Sequence, residues 1–497
     1  MQAQSETTSR DIDITQDPVR WRVLIVLLSA IAMSLISVSI VNVALPAVQK
    51  GLGASQSDLQ WVLSGYALTF GVVLVAAGRA GDIMGRGGIF IIGVALFTAA
   101  SIASGLAPNA TALNTARFVQ GVGSGLLNPQ GVGMIQQYFR GSERGRAFGY
   151  FGSVVGVSVG IGPLLGGLLI ELGGADIGWR LTFLVNVPIG VLTLILAFAW
   201  FPRPLLDRGP RGRVGISHRL LHIARLLDPV GSLLLGLAVF AVLFPFMEAR
   251  TAPLTWLWLP AGIALAVIWV RWERHYERQG CSPMVNLDIF ATRSFTNGSL
   301  IMTLYFLGMT SIWVLVALYM QQGIGRSAIE AGAVGIPSAL MSAIAANWAG
   351  KRVSRYGRKV VIGGLCCAIT GLLLCMVVIL LHAGGYISPW WLMASLALVG
   401  TAQGAVVSPN QALTLAEVPL AYAGSSGAIM QTGQRIGTSI GIAVITAAVF
   451  ALLERVSWPV AAAGGFGIIA LVIAMSLVVA LKDQRERARS APMPADR

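Results

Sequence analysis

The chain has 497 residues; 55% are hydrophobic, only 11% are charged, and the mean hydropathy is +0.75. Soluble domains carry roughly 25% charged residues, so a water-soluble enzyme, a disordered chain and a disulfide-stapled secreted domain are excluded. The net charge of +14 would suit a nucleic-acid binder, but the Lys and Arg lie in short segments between apolar runs, where they orient a chain in a membrane.

Residues 1–17 are polar and mixed in charge, unlike the basic-then-apolar pattern of a signal peptide. Fourteen apolar runs follow, at 22–47, 59–78, 88–107, 110–135, 147–172, 181–201, 229–248, 254–272, 297–321, 328–350, 359–382, 390–414, 424–452 and 459–481. Each is of the length a helix needs to cross a bilayer, whereas a barrel would alternate apolar and polar residues over segments of about ten. The expected fold is therefore an all-α polytopic membrane protein with 14 spans. An even number of spans puts both termini on one side. With the termini cytoplasmic, 28 of the 35 Lys and Arg fall inside. Lys50, Arg180, Arg250, Arg326 and Arg455 fall outside, and Arg117 and Arg435 lie within runs. This bias makes both termini cytoplasmic.

The runs divide into an N-terminal tail (1–21), a six-helix bundle (22–201), a basic cytoplasmic linker (202–228) and two additional helices (229–272). A second linker (273–296), a second six-helix bundle (297–481) and a C-terminal tail (482–497) complete the chain. Gly78 to Arg86, after the second run, repeats in Gly350 to Arg358, after the tenth, with Gly, Gly and Arg at offsets 0, 7 and 8. A duplicated six-helix unit accounts for this, and parallel repeats of that kind build transporters whose substrate site lies at the midplane between the halves.

His218 and His222 form an i, i+4 pair that could ligate a metal, but no third ligand stands nearby, and a solvated basic linker is the favoured reading. Cys281, Cys366, Cys367 and Cys375 show no metal-site or disulfide spacing. No G-x-x-x-x-G-K-[ST] loop is present, so neither a metal, nor a cofactor, nor an ATP site is expected.

A cation in hydrocarbon costs at least about 2.5–3.5 kcal/mol, so Arg117 must face a cavity or a partner. It could modulate a proton site, meet an anionic substrate, or be a hydrogen-bonded structural Arg. Arg435 stands with Gln431, Thr432 and Gln434 in the thirteenth run. These four line a cavity if the helix starts early and face the cytoplasm if it starts late. Ser37, Asn42, Trp61, Tyr66, Gln120, Asn128, Tyr305, Trp313, Gln403, Asn410, Gln431 and Gln434 are candidates for the cavity lining, since polar groups avoid lipid. Each can equally serve as interhelical glue. No Asp or Glu falls in the middle of a run; Asp228 and Glu273 lie at the cytoplasmic edge and the acids past 481 in the tail.

Five segments in order resemble the major facilitator superfamily and its fourteen-helix drug:proton antiporter branch. Gly78 to Phe90 is similar to the superfamily's loop signature, and Arg117 to Gly123 to its fourth-helix motif. Gly156 to Gly167, with Gly160, Gly162, Pro163 and Gly166, resembles the antiporter motif of the fifth helix. Trp179-Arg180 with Phe183, Asn186, Pro188 and Gly190 is like the branch's sixth helix, and Ile40 to Pro46 matches its first-helix motif. The resemblance implies a major-facilitator fold and proton-coupled, alternating-access export of hydrophobic or amphipathic compounds such as drugs. It implies a multi-pass protein of the cell membrane, surrounded by lipid, working as a monomer without nucleic acid. Gly78, Asp82, Gly85 and Arg86 would latch the cytoplasmic side while the outside is open, or cap the loop statically. Arg117, Arg435 and Asp82 would be the charged groups of coupling or substrate binding.

One departure stands out: Ser37 occupies a position where the branch usually carries Asp. Three readings of the energetics follow. An edge carboxylate such as Asp82, Glu171 or Glu248 serves the cavity; the substrate brings the proton or an anionic group to Arg117 and Arg435; or transport is uncoupled. Movement of an amphipathic lipid or endogenous metabolite is the alternative function.

Overall fold

A computed structural model describes residues 18–206, 227–248 and 253–490. The His218–His222 pair, most of the basic linker, Arg250 and the chain ends lie outside the described residues. Thirteen helical segments are long and apolar enough to cross a membrane, and a further helix, rich in glycine and amides, lies among them. In chain order they are α1 (Val19–Leu52), α2 (Ser57–Met84), α3 (Arg86–Gly105), α4 (Ala110–Tyr138), α5 (Gly141–Gly174), α6 (Asp176–Trp200) and α7 (Pro229–Phe246). There follow α8 (Leu254–Arg278), α9 (Arg293–Gly323), α10 (Ile329–Tyr356), α11 (Arg358–Ala383), α12 (Pro389–Thr414), α13 (Leu420–Leu453) and α14 (Trp458–Arg487).

Local chemistry sets the ends. Ser55 and Asp58 form a capping box at the start of α2, Ser327 and Glu330 form another before α10, and Asn109 caps α4. The repeated glycine at offset 7 has a backbone reason: Gly85 (φ 102°) and Gly357 (φ 52°) each make the turn between two helices in a conformation costly for other residues. Two ends differ from expectation. The last helix runs on to Ser490, so the tail expected from 482 begins inside it. Apolar character stops at Lys482, but helix does not, because Asp483 is buried and ion-paired. The fifth helix likewise starts at Gly141, ahead of its apolar run.

Helices α1 to α6 pack together, with α1 on α5, α2 on α4 and α3 on α4; α10 packs on α12, α11 on α12 and α14, and α9 on α13 and α14. Helices α7 and α8 pair, and α7 lies against α2 and α13 through Leu68, Val239, Leu243 and Ile436. Two seams join the halves: α13 with α2 and α4, and α5 with α10 and α12. The repeat-bearing helices, α2 and α10, thus each meet a helix of the opposite half.

Candidate functional site

The first seam closes at the end carrying the repeated loops. Asp82, 1% exposed in its side chain, reaches from α2 to the first turn of α13. Its Oδ1 accepts the Gly424 N–H at 2.9 Å, and its Oδ2 accepts the Ser425 N–H at 2.9 Å and the Ser425 hydroxyl at 3.1 Å. A carboxylate on unpaired amides at a helix N-terminus is favoured by both hydrogen bonding and the helix dipole. Arg86 donates to Asp82 Oδ1 from Nε at 3.1 Å and from Nη2 at 2.8 Å. It also donates to the Leu420 carbonyl at 2.6 Å and to Gln137 Oε1 at 2.9 Å. Gly78 is needed here: a side chain on it would meet the Gly424 carbonyl oxygen at 2.6 Å.

The second seam has no such carboxylate. At offset 4, where α2 carries Asp82, α10 carries an exposed Ser354. The contact is backbone on backbone instead: a side chain on Gly145 would meet the Gly350 carbonyl oxygen at 2.5 Å, and one on Gly350 the Gly149 Cα at 2.6 Å. Higher on α5, Gly156 faces Ser342 and Gly160 faces Ala339, both on α10. Gly162 and Gly166 turn instead to Ser39 and Ile40 of α1, with Pro163 between them, and Gly167 opens onto free space. Arg358, counterpart of Arg86, turns inward within its own half. Its Nε donates to Asp483 Oδ2 at 2.6 Å and its Nη1 to Asn410 Oδ1.

The polar middle of α1 to α6 centres on Arg117, 1% exposed. Its Nε donates to the Val62 carbonyl at 2.9 Å, and its Nη1 to Gln120 Oε1 at 2.6 Å and Ser37 Oγ at 3.4 Å. Gln120 donates on to Ser37 and Ser101. The guanidinium lies 4.4 Å from the Tyr66 ring centroid. The Tyr66 hydroxyl belongs to a second cluster, donating to Ser124 Oγ at 2.7 Å beside Ser34 and Asn128. Every partner of Arg117 is neutral.

Helix α13 starts early: it is helical from Ala423, so Gln431, Thr432, Gln434 and Arg435 sit well inside it. Arg435 lies 4.4 Å from the Phe70 ring centroid of α2. Trp61 packs on Phe118 and Phe244, joining α2 to α4 and α7. Asn42 is exposed, Trp313 and Gln403 are half-buried, and Trp313 lies against Gly335.

Asn410 is fully buried between Arg358 and the Gly298 carbonyl, to which it donates at 2.9 Å, and Tyr305 is 1% exposed within the core of its half. Ser37 and Gln120 are likewise 0% exposed, so these four polar residues are packed inside their own halves in this structure. Sequence reasoning also missed buried charges at the helix ends. Asp483 accepts from Arg358, Arg487 and Asn297. Asp228 and Glu273, assigned to an edge, are 0% and 1% exposed; Asp228 accepts the Trp272 indole N–H at 3.0 Å. Arg79, 5% exposed, donates to Ser282 Oγ at 2.5 Å and ties α2 to the segment after α8. Short-range hydropathy carries no signal for these pairings, because their partners are far away in sequence. A hollow of about 650 Å³ between α3 and α4 has mostly apolar walls, including Leu96, Ala99, Ala103 and Val119, and lies apart from this polar middle.

Two helical bundles, joined along paired seams around buried polar centres, define a multi-pass membrane protein of transporter architecture. The sequence profile of the Major Facilitator Superfamily matches residues 27–271 and 298–496, and the chain belongs to that family. It is 33% identical to the "Probable actinorhodin transporter" of Streptomyces coelicolor, over 87% of this chain and 73% of that one. It is 29% identical to the "Multidrug resistance protein Stp" of Mycobacterium tuberculosis, over 84% of this chain and 74% of that one. Among solved structures, the proton:xylose symporter XylE superposes with a TM-score of 0.64 at 15% identity, covering 93% of this chain and 95% of that one. That likeness bears on the fold.

Proposed function

We propose that the chain is a secondary-active exporter of hydrophobic or amphipathic small molecules, in a cell membrane with both termini cytoplasmic. Substrate binds between the halves, and the halves rock between inward- and outward-open states. The observation that carries this reading is the Asp82 contact across the first seam. It is a set of charged hydrogen bonds between two bodies, made through a few groups, and so can be broken and remade in a cycle. The basic loops beside this seam support a cytoplasmic position for it, and on that reading the structure corresponds to a state sealed there. Relatives named for the transport of an antibiotic and for multidrug resistance support export.

We further propose a proton gradient as the energy source, with no bound cofactor. A second reading, uncoupled movement of an amphipathic lipid or metabolite, is favoured by the neutral surroundings of Arg117, which lack a carboxylate relay. Reconstitution in inverted vesicles with an imposed proton gradient separates the two. Substrate uptake that collapses when the gradient is dissipated supports antiport. Flux indifferent to the gradient supports the second reading.

A further inference from the structure

Arg435 and Arg117 lie against two neighbouring, mutually tilted rings. The Arg117 guanidinium lies 4.4 Å from the Tyr66 ring, Tyr66 and Phe70 have centroids 6.1 Å apart, and the Arg435 guanidinium lies 4.4 Å from the Phe70 ring. The two cations thus sit on neighbouring rings of α2, one from each half of the protein. Their surroundings differ. Arg117 is buried and held by Val62, Gln120 and Ser37. Arg435 is half-buried, and among the described residues it makes no hydrogen bond or ion pair. Gln431, one turn earlier on the same face of α13, makes no hydrogen bond there either.

A guanidinium near the middle of a membrane helix demands an anion or a strong acceptor. The acids of the first seam and of α14 are already engaged, Asp82 by Arg86, Gly424 and Ser425, and Asp483 by Arg358 and Arg487. The side chains that face Arg117 at hydrogen-bond distance, Ser37 and Gln120, are both neutral. The site is therefore cationic and has unused donors beside aromatic faces.

We propose that the central site recognises amphipathic organic anions. The anionic group, a carboxylate, sulfonate or phenolate, pairs with Arg435, and the apolar body lies toward the half-buried Trp61 and Ile436. This rests on the export reading above and names its substrate class. The fork of an Arg suits such oxygen pairs, and the partly dry surroundings strengthen the bond. A cationic compound meets two like charges and no carboxylate.

The test uses the purified full chain in phosphatidylcholine nanodiscs. Fluorescein is the anionic probe, and tetramethylrhodamine methyl ester is a cation on the same xanthene body. Wild type binds fluorescein more tightly than the cation. Arg435→Gln weakens fluorescein binding at least tenfold, leaves the cation unchanged or tighter, and inverts the preference; Arg435→Lys keeps fluorescein within a few-fold. A monodisperse elution profile and retained binding of the cation show that the variant is folded. A wild type that binds fluorescein no better than the cation overturns the assignment, as does an affinity ratio unchanged in Arg435→Gln. Export is judged separately, by flux of the neutral dye Nile red out of cells. Failure of the anion assignment with that flux intact leaves the export reading standing.

Discussion

Asp82→Asn is nearly isosteric and removes one charge from the first seam. In the wild type the carboxylate accepts two backbone amides and a hydroxyl from α13, and two bonds from Arg86. An Asn has one acceptor oxygen, and its NH2 group must then face either the Ser425 donors or those of Gly424 and Arg86. A hydrogen bond to a charged group is worth about 1.5–3 kcal/mol, and the helix N-terminus adds about 0.3–1 kcal/mol for an anion. Losing one charged bond and the dipole term, with Arg86 left on neutral acceptors, costs the sealed state about 2–4 kcal/mol. At 1.4 kcal/mol per tenfold, the ratio of sealed to open molecules falls roughly 30- to 1000-fold. Spin labels at exposed Arg140 and Arg355, in a background lacking the four cysteines, report the separation of the halves by pulsed dipolar spectroscopy. The variant should move most of its population to the longer distance. A distance distribution identical to wild type would refute the claim that these bonds hold the seam shut.

Gly350→Val places a branched side chain 2.5 Å from the Gly145 carbonyl oxygen, so α5 and α10 must separate; gradient-driven export should be lost in a variant that still inserts and elutes as a single species. Arg358→Ala leaves the buried Asp483 with only Arg487 and Asn297. Breaking a buried pair costs about 3–5 kcal/mol, seen as a marked drop in melting temperature in detergent, and Arg358→Met with Asp483→Leu should recover part of it. Unchanged melting of Arg358→Ala would mean the pair is not structural.

The spans were legible because hydrocarbon imposes a length and an apolar content on each helix, and α1 to α14 follow the apolar runs to within a few residues at most ends. The repeated loop was legible in its glycines, whose positive φ at Gly85 and Gly357 is a backbone demand visible in one residue. What Asp82 touches was not. Gly424 and Ser425 lie more than three hundred residues away, and neither type is remarkable in a helix start. Arg117 stood out because a cation in an apolar run needs a cavity or a partner; Ser37 and Gln120 were named, while the Val62 carbonyl carries no sequence signal. Asn410 and Asp483 misled for the opposite reason. Both are polar residues near the end of an apolar stretch, and only the fold shows that they complete Arg358.

The division of labour along α5 has a mechanical consequence. Up to Gly160 the glycines of the helix face α10 and α12; from Gly162 they face α1. The lower half of this rod is thus shared by both bundles, since Glu143 also pairs with Arg20 and Tyr150 packs on Trp21 of α1, whereas the glycines of its upper half face α1. Relative rotation of the bundles strains this rod where its partners change, next to Pro163, which leaves one rung of the backbone ladder unmade. Pro163 is thus a soft joint between the stretch that two bundles share and the stretch that one bundle holds, and stiffening it should slow turnover even with every binding group intact.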